Sequence, residues 1–171
     1  MKAIDVIALL VGFAGCVTDL RSRRIPNVLT FGAAAAGLAF HAITGGTSGF
    51  VLSGAGWVVG VAVFFVPFAL GGLGGGDVKL LAALGAWVGP QDVFWMAMYA
   101  GIAGGVLAVV VAAAHGYLRQ AWSNIRFLWA HWMVTGIRPL HAVSLEGSTG
   151  PRLAYAVPIF VGALMTVWLR S

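Results

Sequence analysis

Hydropathy predicts an all-α, polytopic membrane protein with about six transmembrane helices and a cytoplasmic interfacial amphipathic helix. Three features of the 171-residue chain carry that expectation. Hydrophobic residues make up 60% of it and charged residues only 9%, where soluble domains carry about a quarter charged residues. The mean hydropathy is +0.95. The apolar residues gather into runs long enough to span a bilayer, and most of the charges fall between those runs. The net charge of +5 is scattered and forms no stripe, so it reads as a topology signal, and no nucleic-acid partner is expected.

The spans are expected at about 3–19, 28–44, 50–70, 78–90, 92–115 and 153–169. The first follows Lys2 and could be mistaken for a secretory signal. Asp5 interrupts it, however, and Arg21, Arg23 and Arg24 stand where small cleavage-site residues belong, so a retained helix is expected. Cys16, the single cysteine, leaves no internal disulfide and no CxxC metal site, and reads as a small packed residue. Pro26 disfavours helical geometry at Ile25, so the chain should turn there, and Asn27 is expected to cap the second helix.

Gly56 and Gly60, and again Gly101 and Gly105, have the GxxxG spacing that lets helices approach closely, although 25 glycines produce some such spacings by chance. The fourth span is short and needs support from its neighbours. After the fifth, Leu118, Trp122, Ile125, Trp129 and Met133 recur at intervals of three and four, while Arg119, Gln120, Ser123 and Arg126 fall largely elsewhere. That pattern predicts an amphipathic helix lying in the interface, with Trp at headgroup level. Residues 138–150 read as a loop. There is no internal repeat and no soluble domain, so 1–171 is expected to form one membrane-embedded unit.

If the loop with Arg21, Arg23 and Arg24 is cytoplasmic, alternation brings Lys79, Arg119, Arg126, Arg138 and Arg152 to the same side. Eight of the ten Lys and Arg residues then share one face, with Lys2 and Arg170 opposite, along with Asp5 and Asp92. Asp19 and Asp77, two of only five acidic residues, come to one depth although 58 positions separate them. An ionisable group at the end of an apolar span is a functional candidate.

Asp19 opens the segment Asp19-Leu20-Arg21-Ser22-Arg23-Arg24-Ile25-Pro26-Asn27, and Asp77 closes the glycine run 71–76 ahead of Val78, Lys79 and Leu80. Taken singly, each is an ordinary helix-terminal Asp beside a basic loop or a flexible one. Together they can act as acid and base, because two neighbouring carboxylates cannot easily both ionise. No rival set matches them. The glycine run lacks the Lys-Ser or Lys-Thr of a P-loop, no GxSxG elbow is present, and His41, His115, His131 and His141 lack HExxH spacing and read as packing or interface residues.

Gly74-Gly75-Gly76-Asp77 resembles the GxGD signature of intramembrane aspartic proteases, and its continuation through Lys79 and Leu80 is similar to type IV prepilin peptidases. Asp19 with Arg21, Ile25, Pro26 and Asn27 resembles that family's other aspartate site, D-x-R-x-x-x-I-P-N. The spacing of spans between the two sites agrees as well.

This resemblance implies an aspartic endopeptidase that removes the short basic leader of pilin-like precursors at the cytoplasmic face of the bacterial inner membrane. It implies Asp19 and Asp77 as the catalytic pair, and Gly74, Gly75, Gly76, Lys79, Pro26 and Asn27 as substrate-binding or site-shaping residues. No metal and no other cofactor is implied. The partners would be pilin-like precursors and the lipid bilayer, with a homo-oligomer left open. Lacking paired CxxC motifs, the chain resembles the small peptidase-only branch associated with Flp or tight-adherence pili, without a methyltransferase or zinc-binding domain. Where the family usually has Pro before an aromatic residue near the last span, Ala154 precedes Tyr155 and Pro158 comes three residues later.

From the residues alone two other classes stay open. A small proton- or cation-coupled transporter would use Asp19 and Asp77 as ion-binding carboxylates near the midplane. A structural subunit of a secretion complex would tolerate the loss of either.

Overall fold

The computed structural model describes residues 3–135 and 154–170. They form α1 (Ala3–Ser22), α2 (Asn27–Ala69), α3 (Gly75–Val88), α4 (Pro90–Ala114), α5 (Leu118–Thr135) and α6 (Ala156–Arg170), with no strand among them. The expected all-α membrane fold is therefore observed. By length and composition α1, α2 and α4 can cross a membrane, while α6 is apolar but only 15 residues long. The loop expected at 138–150, with Arg138 and His141, lies outside the described residues, as do Lys2 and Arg152.

Several boundaries differ from expectation for local reasons. The second and third expected spans form one helical tract, which reverses at Gly46 (φ 60°, ψ −146°). A positive φ costs glycine little. Past this point Gly49 lies against the backbone of His41 and Gly54 against Leu38, so the two arms of α2 run side by side. α6 starts at Ala156 rather than 153, with Pro158 in its first turn, where a missing N–H is tolerated. Asn27 does not cap α2. The N-cap is Pro26, in an extended conformation and without a side-chain cap bond, and Asn27 is already the first helical residue.

α3 is the buried centre of the bundle and touches α1, both arms of α2, α4 and α6. Leu80, Leu81 and Leu84 are fully buried there, with Val93, Met96 and Ile159 beside them. At about 1.5 Å per residue α3 is only ~21 Å long, and its neighbours supply the apolar surroundings that lipid would otherwise give. Gly56 lies on the backbone of Gly85 and Gly60 on that of Ala82, so this GxxxG pair brings two helices into backbone contact. Gly101 and Gly105 meet nothing within 4 Å.

Two ends of the bundle can be distinguished. α6 runs antiparallel to α1, with the Phe13 and Phe160 rings 5.7 Å apart midway. At one end Arg170 pairs with Asp5 at 2.8 Å and with Asp92. At the other end lie Asp19, Asp77 and Tyr155. α5 forms where periodicity placed it and leaves Leu118, Trp122, Ile125, Trp129 and Met133 exposed.

Candidate active site

Asp19 stands in the last turn of α1 and is 8% exposed. Its backbone carbonyl accepts the Arg23 N–H at 2.8 Å, and Arg23 adopts a φ of 54°, ending the helix at a position where glycine is usual. Its carboxyl is met from the far end of the sequence, where the Ala156 N–H at the start of α6 donates to Asp19 Oδ2 at 3.3 Å across 137 positions. A carboxylate is well placed at a helix N-terminus, whose first amides have no partner within the helix.

Asp77 lies in the first turn of α3 and is also 8% exposed. Its Oδ2 accepts the Gly74 N–H at 3.1 Å, and its own N–H donates to Gly74 O at 3.1 Å. These bonds fix the carboxyl relative to the glycine run. Only Gly71 within the run has a positive φ, 79°. A Cβ on Gly74 would stand 3.1 Å from Asp77 Oδ2, and one on Gly76 3.4 Å from Ile25 Cβ. Ile25 therefore brings the α1–α2 connector directly onto the start of α3.

The two buried carboxyls are close enough to interact electrostatically. Of the other residues expected at the site, Gly74 and Gly76 adjoin Asp77 and Ile25 as described, and Gly75 faces Phe68. Pro26 serves as the N-cap of α2. Lys79 is two residues, or about 200°, around α3 from Asp77. Its Nζ donates to Asn27 Oδ1 at 3.0 Å and lies 5.4 Å from the centre of the Phe31 ring. On that side an apolar cavity of about 320 Å³ separates the arms of α2, lined by Phe31, Trp57, Phe65, Phe68 and Val78.

The sequence reading missed Tyr155 as part of this end of the bundle. Its half-buried ring meets Phe64 edge-on at 5.8 Å, and it interacts electrostatically with Asp77. The one available signal was its place beside Ala154, where the family pattern has proline. Nothing in the sequence marked the Ala156 amide. His41 and His115 bond to the carbonyls of Trp87 and Val111, each at 2.9 Å, as packing residues do. Among the described residues no group of three His, Cys, Asp or Glu side chains is placed to hold a metal ion.

No curated protein and no solved structure matches the chain. The model of the type IV leader peptidase family matches residues 6–109, a stretch that contains Asp19, Asp77 and the segments flanking them. That match covers more than half of the sequence, so the chain belongs to the type IV leader peptidase family and is an aspartic-type peptidase, a hydrolase of prepilin leader peptides.

Proposed function

We propose that Asp19 and Asp77 are the catalytic pair, and that they cut the leader from pilin-like precursors at the cytoplasmic face of the bacterial inner membrane. The observation that carries this reading is that two buried carboxyls, from segments 58 positions apart, lie at one end of the bundle, near enough to interact electrostatically. One carboxylate takes a proton from water, whose oxygen attacks the scissile carbonyl carbon, while the partner carboxyl gives its proton to the carbonyl oxygen. Collapse of the tetrahedral intermediate returns a proton to the leaving amine and breaks the C–N bond.

Arg21, Arg23, Arg24 and Lys79 lie at the same end, which supports a cytoplasmic orientation. The leader then stays in the cytoplasm while the apolar stem of the precursor reaches the site laterally between helices. With a single cysteine and no CxxC pair, peptidase action without N-methylation, as in the Flp-associated branch, is the accompanying expectation.

The test is cleavage of co-expressed pilin-like precursors in membranes by the wild type, Asp19→Ala and Asp77→Ala at matched protein levels. Processing by the wild type that each substitution abolishes supports the pair. Processing that survives both substitutions refutes it and favours ion binding as the role of these carboxylates.

A further inference from the structure

We propose that Asn27 and Lys79 are positioning residues, and that their hydrogen bond is a strut holding the Asp19-bearing end of α1 in place against the Asp77-bearing start of α3. The inference rests on Asp19 and Asp77 being the catalytic pair.

Asp19 and Asp77 belong to different helices, and α1 has few contacts with α2. α1 is located by α3 and α6, on which it packs, with Gly15 against Leu80, and the connector to α2 adds a further tie at its end. Eight positions after Asp19 the chain reaches Asn27, and two positions after Asp77 it reaches Lys79. The bond from Lys79 Nζ to Asn27 Oδ1 closes a short circuit that runs from Asp19 through the connector to Asn27, across to Lys79 and back to Asp77.

Within that circuit residues 23–26 are not helical, and the Ile25 side chain lies beside Gly76, an apolar neighbour that resists sliding weakly. The Asn27–Lys79 bond supplies direction. Lys79 grips the first turn of α2 at two points, the Asn27 side-chain carbonyl and the ring of Phe31 four residues on, which stands on the same helix face. Asn27 is able to serve because it does not cap its own helix. Lys79 is directed to the side of α3 opposite Asp77, so the pair acts on the carboxyls by placing them and does not touch substrate.

The test uses the full chain in lipid nanodiscs acting on a full-length pilin-like precursor. Asn27→Leu changes no charge and Lys79→Met removes one, yet both break the strut. Each is expected to lower kcat about fivefold, what a charge-assisted hydrogen bond open to solvent is worth, with KM within about twofold and the shape of the pH profile unchanged. The double variant is expected to be no worse than either single one, and Asn27→Asp, which keeps an acceptor for Lys79, to stay within about threefold of the wild type. Losses that multiply in the double variant, a KM effect with kcat intact, or failure of Asn27→Asp to retain activity overturn the proposal.

A second measurement does not depend on cleavage. Spin labels at the exposed positions Leu20 and Gln91, in a Cys16→Ser background, report the end of α1 relative to the α3–α4 junction. Asn27→Leu is expected to shift or broaden that distance distribution, and an unchanged distribution refutes the strut. If Asp19→Ala and Asp77→Ala still cleave the precursor, the catalytic reading fails, while the spin-label distances still decide whether the strut positions α1.

Discussion

Tyr155 occupies the notch that Gly104 leaves in α4, where a Cβ on Gly104 would stand 2.7 Å from the Tyr155 ring. The notch sets how closely the start of α6, with its Ala156 amide on Asp19, approaches the site. Gly104→Val is expected to push that segment outward and to lower cleavage about ten- to a hundredfold, as small misplacements in an active site do. Gly101→Val and Gly105→Val, at positions with nothing within 4 Å, are expected to stay within about twofold. Equal losses in all three, measured as precursor processed per unit time, count against a specific role for the notch.

Asp19→Asn and Asp77→Asn keep shape and remove acid–base function. Each is expected to lower the cleavage rate by about a hundredfold to ten-thousandfold or more, with the thermal unfolding midpoint in detergent changed little. A midpoint that falls along with activity assigns the loss to folding.

The contact of α2 with α3 depends on Gly56 and Gly60 presenting bare backbone. Gly60→Val is expected to cost roughly 1–3 kcal/mol of stability by forcing these helices apart. Denaturant titration in detergent checks it, with Gly105→Val as the neutral comparison.

Arg170 pairs with both Asp5 and Asp92, whose side chains are 7% and 17% exposed, and is itself 39% exposed. Arg170→Gln leaves two carboxylates facing one another, and a loss of about 1–3 kcal/mol is expected once the partial exposure of the arginine is allowed for. Adding Asp5→Asn and Asp92→Asn to Arg170→Gln is expected to recover part of that stability. No recovery means that Arg170 matters for something other than these two charges.

Water activated between two carboxylates needs no metal. Cleavage is accordingly expected to stay within about twofold in excess EDTA, and an EDTA loss that zinc reverses refutes the two-carboxylate mechanism.

Much of this arrangement was legible because it is written in local patterns. Apolar runs marked the helices, the three- and four-residue spacing of Trp122, Ile125 and Trp129 marked α5, and the rarity of acidic residues drew attention to Asp19 and Asp77. What escaped depends on contacts between distant segments. Gly46 looks like any other glycine until two arms fold back around it. Asn27 has the composition of a cap, but Lys79, 52 positions away, takes its side chain. The Ala156 amide on Asp19 carries no residue-type signal, because every residue but proline has such an amide. Tyr155 was visible only as a departure from a pattern, and its partners Gly104 and Phe64 come from two other helices.

The Arg170 cluster also bears on the surrounding lipid. Asp5, held by Arg170, and Asp19 are fourteen positions apart on one continuous helix, a rise of about 21 Å against a hydrocarbon core of roughly 30 Å. The two polar ends along α1 and α6 are thus closer together than two headgroup layers. A hydrophobic length this short is accommodated by local thinning of the bilayer or by flanking polar side chains, such as that of Arg170, reaching out to its surface.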